Sequence, residues 1–236
     1  MKKFRTILCF ALCAALILPV FAESKLLPVY CVKRDDRKVS LSFDAAWGNE
    51  DTRQLIDILD KYGVKVTFFV VGDWARKYPE SVKALCDAGH EVMNHSDTHP
   101  HMNSLSVEQI KNEIENCNKA REEVTGVCPT LIRLPYSEYD NKVIQTVNDM
   151  GMTAVQWDVD SLDWKDLSAR QIYERVTTRV HQGSIVLFHN AAKHTPAALE
   201  DILKWLKDND YEAVPISQLL LDGNTTLDHE GRQHRA

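Results

Sequence analysis

The sequence predicts an α/β protein of one domain, a distorted parallel (β/α)7 barrel, on three observations. Strand-like and helix-like segments alternate seven times, glycines fall between helical segments and the strands that follow, and the strand segments are near-continuous apolar runs. Alternation in βα order implies a parallel sheet with helical crossovers. Runs such as Phe68-Phe69-Val70-Val71 and Ile185-Val186-Leu187-Phe188 read as strands covered on both faces, which favours closure over an open sheet. No GxGxxG follows the first strand, so nothing points to a dinucleotide fold.

The elements follow in order. Basic Lys2-Lys3-Phe4-Arg5 precedes an apolar run over 7–21 that ends in Val20-Phe21-Ala22, the pattern of a secretory signal (residues 1–22) with cleavage before Glu23. The run contains Pro19 and is shorter than the ~20 residues a spanning helix needs, although an uncleaved membrane tether stays open. Residues 23–37 form a lead-in. The main domain, 38–220, has strands expected at Val39–Phe43, Val66–Val71, Glu91–His95, Thr130–Leu134, Thr153–Val159, Ser184–His189 and Glu212–Ile216. Leu55, Ile56, Leu59 and Tyr62 recur at helical spacing. Ser106-Val-Glu-Gln109 and Ser168-Ala-Arg-Gln171 are capping boxes that open two helices, and Thr195-Pro196 supplies an N-cap and first-turn proline for the last. Gly63, Gly89, Gly126, Gly151 and Gly183 sit where left-handed helix ends are needed. Residues 221–236 are polar without a pattern and are expected to fray.

Composition narrows the function. With 236 residues, 44% hydrophobic and 26% charged, the chain is long enough for a full core and is not collagen-like, disordered or a coiled coil. Net charge is −6; without Lys2, Lys3 and Arg5 the balance is 25 basic against 34 acidic residues, or −9. An acidic exported chain is a poor partner for nucleic acid or anionic lipid, and a monomer working in the cell envelope or outside the cell is expected. Beyond the signal, Cys31, Cys86, Cys117 and Cys128 show no CxxC spacing, so buried free thiols or one optional disulfide are expected.

The chemistry-bearing residues fall at strand ends. Asp44 follows the first strand, His95 and His99 the third, Arg133 and Tyr136 the fourth, and Asp160, Asp163 and Trp164 the fifth, while His189 ends the sixth. In a parallel barrel these ends share one rim. His95 and His99 are four apart, so one helical turn would set both imidazoles on one side, a pair suited to zinc or another borderline divalent metal. Alone, such a pair is common among structural histidines; a carboxylate on the same rim makes it a metal-site candidate. Trp47 reads equally as a sugar platform or a core residue. GxSxG, HExxH and P-loop motifs are lacking.

These residues also resemble a family. Ser42-Phe-Asp-Ala45, His95-Ser-Asp-Thr-His99, Arg133-Leu-Pro-Tyr136, Asp160-Ser-Leu-Asp-Trp164 and Leu187-Phe-His189 are similar, in order, to the five motifs of the polysaccharide deacetylases, carbohydrate esterase family 4, with the NodB homology domain. The wording Phe43-Asp-Ala-Ala-Trp-Gly48 resembles the sporulation-associated branch of Gram-positive bacteria. The resemblance implies metal-dependent hydrolysis of N-acetyl groups on an amino-sugar polysaccharide, with peptidoglycan favoured by export. It implies zinc (cobalt, manganese or nickel as alternatives) on His95 and His99, Asp44 as general base and His189 as general acid. Tyr136 would stabilise the oxyanion through its backbone N–H, Arg133 would hold Asp44 ionised, and Asp160 or Asp163 would orient His189 or Arg133. Trp164 and Leu187 would line the acetyl pocket. One position departs: the family's second aspartate, a metal ligand, is Ala45. Water, Asp44, or one of Asn49, Glu50 and Asp51 would have to fill that place. Two rivals remain: a weak or inactive glycan-binding or spore-envelope protein, and a hydrolase of another C–N bond such as a cyclic imide.

Overall fold

The computed structural model describes residues 24–236, so the signal-like segment lies outside the described residues. The lead-in carries a short strand, β1 (Cys31–Val32), and the barrel begins at β2 (Lys38–Ala45). Helix α1 (Thr52–Lys61) leads to β3 (Thr67–Val70); α2 (Gly72–Lys77) and α3 (Pro79–Asp87) lead to β4 (Glu91–Asn94); α4 (Val107–Thr125) leads to β5 (Leu131–Ile132). After α5 (Asn141–Asp149) come β6 (Thr153–Ala154), β7 (Val159–Asp160), α6 (Ala169–Thr177), β8 (Ile185–His189) and α7 (Thr195–Asp208). The chain closes with β9 (Glu212–Ala213), α8 (Ile216–Leu219) and a hairpin of β10 (Thr225–Leu227) and β11 (Arg232–Arg235).

Seven parallel strands curl in the order β6-β5-β4-β3-β2-β8-β7, and β9 adds to the start of β2. This is the predicted single-domain (β/α)7 fold, and its distortion has a place. The segment Thr153–Val159, expected as one strand, breaks into β6 and β7, which stand at opposite edges of the sheet. The lead-in bridges that seam. Val29 N–H donates to Ala154 O at 2.9 Å and Val29 O accepts from Gln156 N–H at 2.7 Å, while Val32 N–H donates to Gly183 O at 2.9 Å. Gly183 has φ +85°, and a Cβ there would lie 1.8 Å from Val32 O, so only glycine permits the approach.

Alternation along β2 separates two environments. Val39, Leu41, Phe43 and Ala45 belong to the main apolar layer with Leu55, Leu59, Ile202 and Leu206 of the helices, where Phe43 stacks on Phe68 and Phe188 at 4.9 and 5.3 Å. Ser40, Ser42 and Asp44 occupy the alternate positions and are buried as well. That row of polar side chains turns toward the barrel interior and builds the site.

Local signals hold in part. Ser106 and Ser168 both form the expected capping boxes. Thr195 does not cap α7, because the cap is His194 and the Thr195 hydroxyl is engaged elsewhere. The tail expected to fray is instead paired: β11 runs parallel to β1 and antiparallel to β10, and buried Gln233 accepts from Leu221 N–H at 2.8 Å. Backbone pairing to the lead-in, invisible to hydropathy, orders it. The four described cysteines are unpaired, with Cys31 and Cys117 buried and Cys128 exposed. Among the described residues no helix is long and apolar enough to cross a membrane.

Phe43→Ala should lower stability by about 3–5 kcal/mol through transfer and cavity terms. Urea denaturation checks it, and a loss under ~1 kcal/mol would mean that the layer collapses into the space.

Candidate active site

Parallel register places the first two functional groups. Asp44 on β2 pairs with His189 on β8, and Ser42 pairs with Leu187, so Asp44 and His189 stand side by side in the uppermost interior row. Arg133, just beyond β5, is fully buried beneath them. Its Nη1 donates to Asp44 Oδ1 at 2.8 Å, and its Nη2 donates to Ser42 Oγ at 2.8 Å and Gln156 O at 3.2 Å. The guanidinium carbon lies 4.2 Å from the centre of the Phe69 ring. Burial opposes an ionised Asp44, but the neighbouring His95, Arg133 and His189 outweigh it and hold the carboxyl below its ordinary range. Asp44 is therefore an anion with Oδ1 engaged by Arg133.

The two histidines meet, though not as a helical turn. His95–His99 is an irregular loop in which Ser96 and His99 take left-handed φ of 65° and 60°. The rings still lie 4.9 Å apart between centroids. His95 Nδ1 lies 2.8 Å from the carbonyl of Arg133, which fixes it as the donor and leaves Nε2 free, 3.5 Å from Asp44 Oδ2. Burial pushes His95 below its ordinary pKa against the pull of Asp44, and burial, with a smaller contribution from neighbouring His95, pushes His99 down to about 4. Both imidazoles are neutral near pH 7, the form that ligates metals.

His189 has the opposite polarity. Burial disfavours its cation, but Asp163 Oδ1, 2.8 Å from Nδ1, and the charges of Asp163, Asp44 and Asp160 outweigh it and raise the pKa. Asp163 is held in turn: its Oδ2 accepts from His189 N–H and from the Thr195 hydroxyl, each at 2.8 Å. This separates the expected pair. Asp163 orients His189, whereas Asp160 Oδ1 accepts from Leu162 N–H at 2.8 Å and shapes the turn before Trp164. Arg133 pairs with Asp44.

A cavity of about 720 Å³ opens over these groups, and Leu187, Tyr136, Trp164 and Asp160 are among its walls. Tyr136 has φ 56°, its ring lying 4.6 Å from His99 and 4.3 Å from His101 between centroids. Trp47 is no core residue: it is 56% exposed, with its ring 5.7 Å from His189 on the cavity wall. The supporting contacts of Ser42 and Gln156 with Arg133 and of Thr195 with Asp163 were not expected from the sequence. Only Ser42 carries a signal, two residues before Asp44 on the same strand face.

The chain matches the family model described as polysaccharide deacetylase over residues 32–155. The chain belongs to the polysaccharide deacetylase family. It is 34% identical over 188 residues to the peptidoglycan-N-acetylmuramic acid deacetylase PdaC of Bacillus subtilis, covering 80% of this chain and 40% of PdaC. BA3943 of Bacillus anthracis, a CE4 family pseudoenzyme, superposes with TM-score 0.80 at 31% identity over 89% of this chain and 70% of that one. A BA3943 mutant with restored enzymatic activity superposes equally well, at 0.80 and 32% identity, over 89% of this chain and 73% of that one. The chain spans 60% and 40% of the lengths of two curated relatives, YlxY and PdaC of Bacillus subtilis.

Against that family's pattern, Ala45 is 1% exposed and sits in the apolar layer with Val70, Val71 and Trp74. None of the three candidate residues lines the cavity. Asn49 Nδ2 donates to Ser81 Oγ at 3.0 Å, Asp51 Oδ2 accepts from Ala191 N–H at 2.8 Å, and Glu50 is no part of the cavity wall. Among the described residues no group of three His, Cys, Asp or Glu is gathered for a metal.

Asp163→Asn should reveal the His189 proton. A raised folded pKa contributes stability in full below the unfolded value of about 6.5 and loses it as pH rises through the folded value. The variant should lose about 1–3 kcal/mol at pH 6 and less at pH 9 by urea denaturation. An equal loss at both would show that Asp163 does not hold the proton on His189.

Proposed function

We propose that this chain removes acetyl groups from the amino sugars of a cell-wall polysaccharide, with peptidoglycan as substrate, and releases acetate. The carrying observation is the registered pair of Asp44, held ionised by Arg133, and His189, whose proton is stabilised by Asp163, beside two neutral imidazoles in one cavity. Opposite protonation states in one pocket are what a base and an acid require. Support for the substrate comes from PdaC, named as a peptidoglycan-N-acetylmuramic acid deacetylase, and from the export pattern at residues 1–22, which argues for work in the cell envelope.

The donors fit a divalent cation in type and protonation. His95 offers Nε2 and His99 its imidazole, while Asp44 Oδ2, the oxygen not used by Arg133, stays free beside them. Zinc suits this set, with cobalt, manganese or nickel as alternatives. Bound there, such an ion would polarise the acetyl carbonyl and make a bound water more acidic. The protein's own groups do the rest. Asp44 Oδ2 takes the proton of the attacking water, while Arg133 keeps Asp44 charged. Tyr136 N–H, set by its left-handed backbone, donates to the oxyanion. His189 protonates the leaving amine and Asp163 fixes its ring. Leu187 and Trp164 wall the acetyl pocket. A second reading, a glycan-binding protein without turnover, is favoured by Ala45 and by the likeness to a pseudoenzyme.

Protein loaded with zinc or cobalt should release acetate from peptidoglycan, and a chelator should stop it. No release by metal-loaded protein from any N-acetylated glycan would establish the second reading. If the first holds, Asp44→Asn and His189→Asn should each lower kcat by about 10²–10⁴-fold with KM little changed. Steady-state kinetics decide it, and a loss confined to KM would remove both from proton transfer.

A further inference from the structure

The loop that carries His99 is built against a side chain on a different element. Glu113, half-buried on α4, receives three hydrogen bonds from it. Its Oε2 accepts from Asp97 N–H and Thr98 N–H, and its Oε1 accepts from the Thr98 hydroxyl, each at 2.9 Å. Consecutive peptide N–H groups aimed at one point form a concave anion site, and here a carboxylate of the same chain occupies it. Charge-assisted bonds of this kind are about twice as strong as neutral ones.

The opposite side of the loop is held independently. Gly72 N–H donates to Ser96 O and Asp73 N–H donates to Asp97 O, both at 3.0 Å. A Cβ at Gly72 would lie 2.0 Å from Asp97 Oδ1 and 3.1 Å from Asp97 Cα, so glycine at this position lets α2 meet the loop without displacing the Asp97 side chain. The loop is thus clamped between α2, which takes its carbonyls, and Glu113, which takes its amides.

The clamp matters because His99 has no anchor like that of His95. His95 is fixed through Nδ1 on the Arg133 carbonyl. His99 depends on its backbone: φ is 60°, unfavourable for a residue with a Cβ, and its N–H donates to Ser96 Oγ at 3.0 Å. Such a conformation persists only where its surroundings impose it. Glu113 itself is fixed, since α4 docks through buried Ile110 and Ile114 and through Asn94 Nδ2 on Ile114 O at 2.9 Å.

We propose that Glu113 is a positioning residue that holds the Asp97-Thr98 backbone so that the His99 imidazole faces the cavity beside His95. Its use toward a metal rests on the reading of the site given above; the positioning itself does not. Glu113→Ala removes both acceptor oxygens and with them all three hydrogen bonds, Glu113→Gln keeps one oxygen, and Glu115→Ala on the exposed side of the same helix serves as control. In metal-free protein, the Asp97 and Thr98 amides of Glu113→Ala should exchange at least tenfold faster, and the nuclear Overhauser contact between the His99 and Tyr136 rings should disappear. Glu113→Gln should fall between it and the wild type, and Glu115→Ala should match the wild type. Titration with zinc and with cobalt should show Kd weakened about tenfold or more in Glu113→Ala, with partial rescue in Glu113→Gln. Retained ring contact and unchanged exchange in Glu113→Ala would overturn the positioning, whether or not the wild type binds metal. A changed loop with unaltered Kd would overturn its role toward the metal. A wild type that binds neither ion would sink the metal reading, while the exchange and ring-contact results would still decide for or against Glu113.

Discussion

The buried Arg133–Asp44 pair is the constraint on which the site depends. Removing both charges from water is expensive, and a lost partner would strand the other in the barrel. The structure answers by surrounding the guanidinium: Asp44, Ser42 and the Gln156 carbonyl take its protons, and Phe69 faces it. Nε is left without a partner, so the cage is tight but incomplete. The same residue's carbonyl also fixes the His95 tautomer. One side chain and one peptide oxygen therefore set the charge of Asp44 and the direction of one imidazole. Proteins seldom bury an arginine completely, and this one sits where its loss would disturb charge, packing and orientation together.

The strand register turns that pair into a reactive arrangement. Because β2 and β8 are parallel and aligned at Asp44 and His189, both side chains leave the sheet on the same face at neighbouring-strand distance. Each is then assigned its own protonation state by a separate partner, Arg133 for Asp44 and Asp163 for His189. The two partners do not touch the same group, so the environments stay distinct although the reactive groups are adjacent. A barrel interior achieves this economically, since alternate residues of every strand already converge there.

Much of this was legible in the sequence because strand ends are. Asp44, His95, Arg133 and His189 terminate β-branched or aromatic runs, and βα order sends such termini to one rim. The single domain, the parallel sheet and both serine capping boxes followed from equally local signals. What escaped depends on long-range contact. The pairing of β11 with β1 joins residues about two hundred positions apart and leaves no periodicity in a polar tail. The break between β6 and β7 reflects curvature of the sheet, which an apolar run of fixed length does not report. The His95–His99 loop illustrates a spacing that was right for a wrong reason: the rings are neighbours, but left-handed backbone at Ser96 and His99 brings them together rather than a helical turn. Glu113, whose only sequence feature is a position near the start of a helix, could not be told from any solvated glutamate.

Ala45 sharpens what kind of site this is. The groups nearest the cavity floor stand in pairs, Asp44 with Arg133 and Asp163 with His189, whose proton it favours, and the imidazoles between them are neutral. A further carboxylate would add negative charge that attracts a cation; without it, the cavity wall offers Asp160 and Asp166, with Lys193 opposing them. A cation held mainly by imidazoles receives less negative charge from its ligands and keeps more of its power to polarise a carbonyl, at the expense of retention. Alternation along β2 adds a geometric term. Residue 45 follows Asp44 and so belongs to the apolar layer, where a carboxylate would be desolvated unless the strand end turned toward the cavity. The apolar residue at this position therefore favours the stability of the fold, while Asp44 and His189 stay side by side above it.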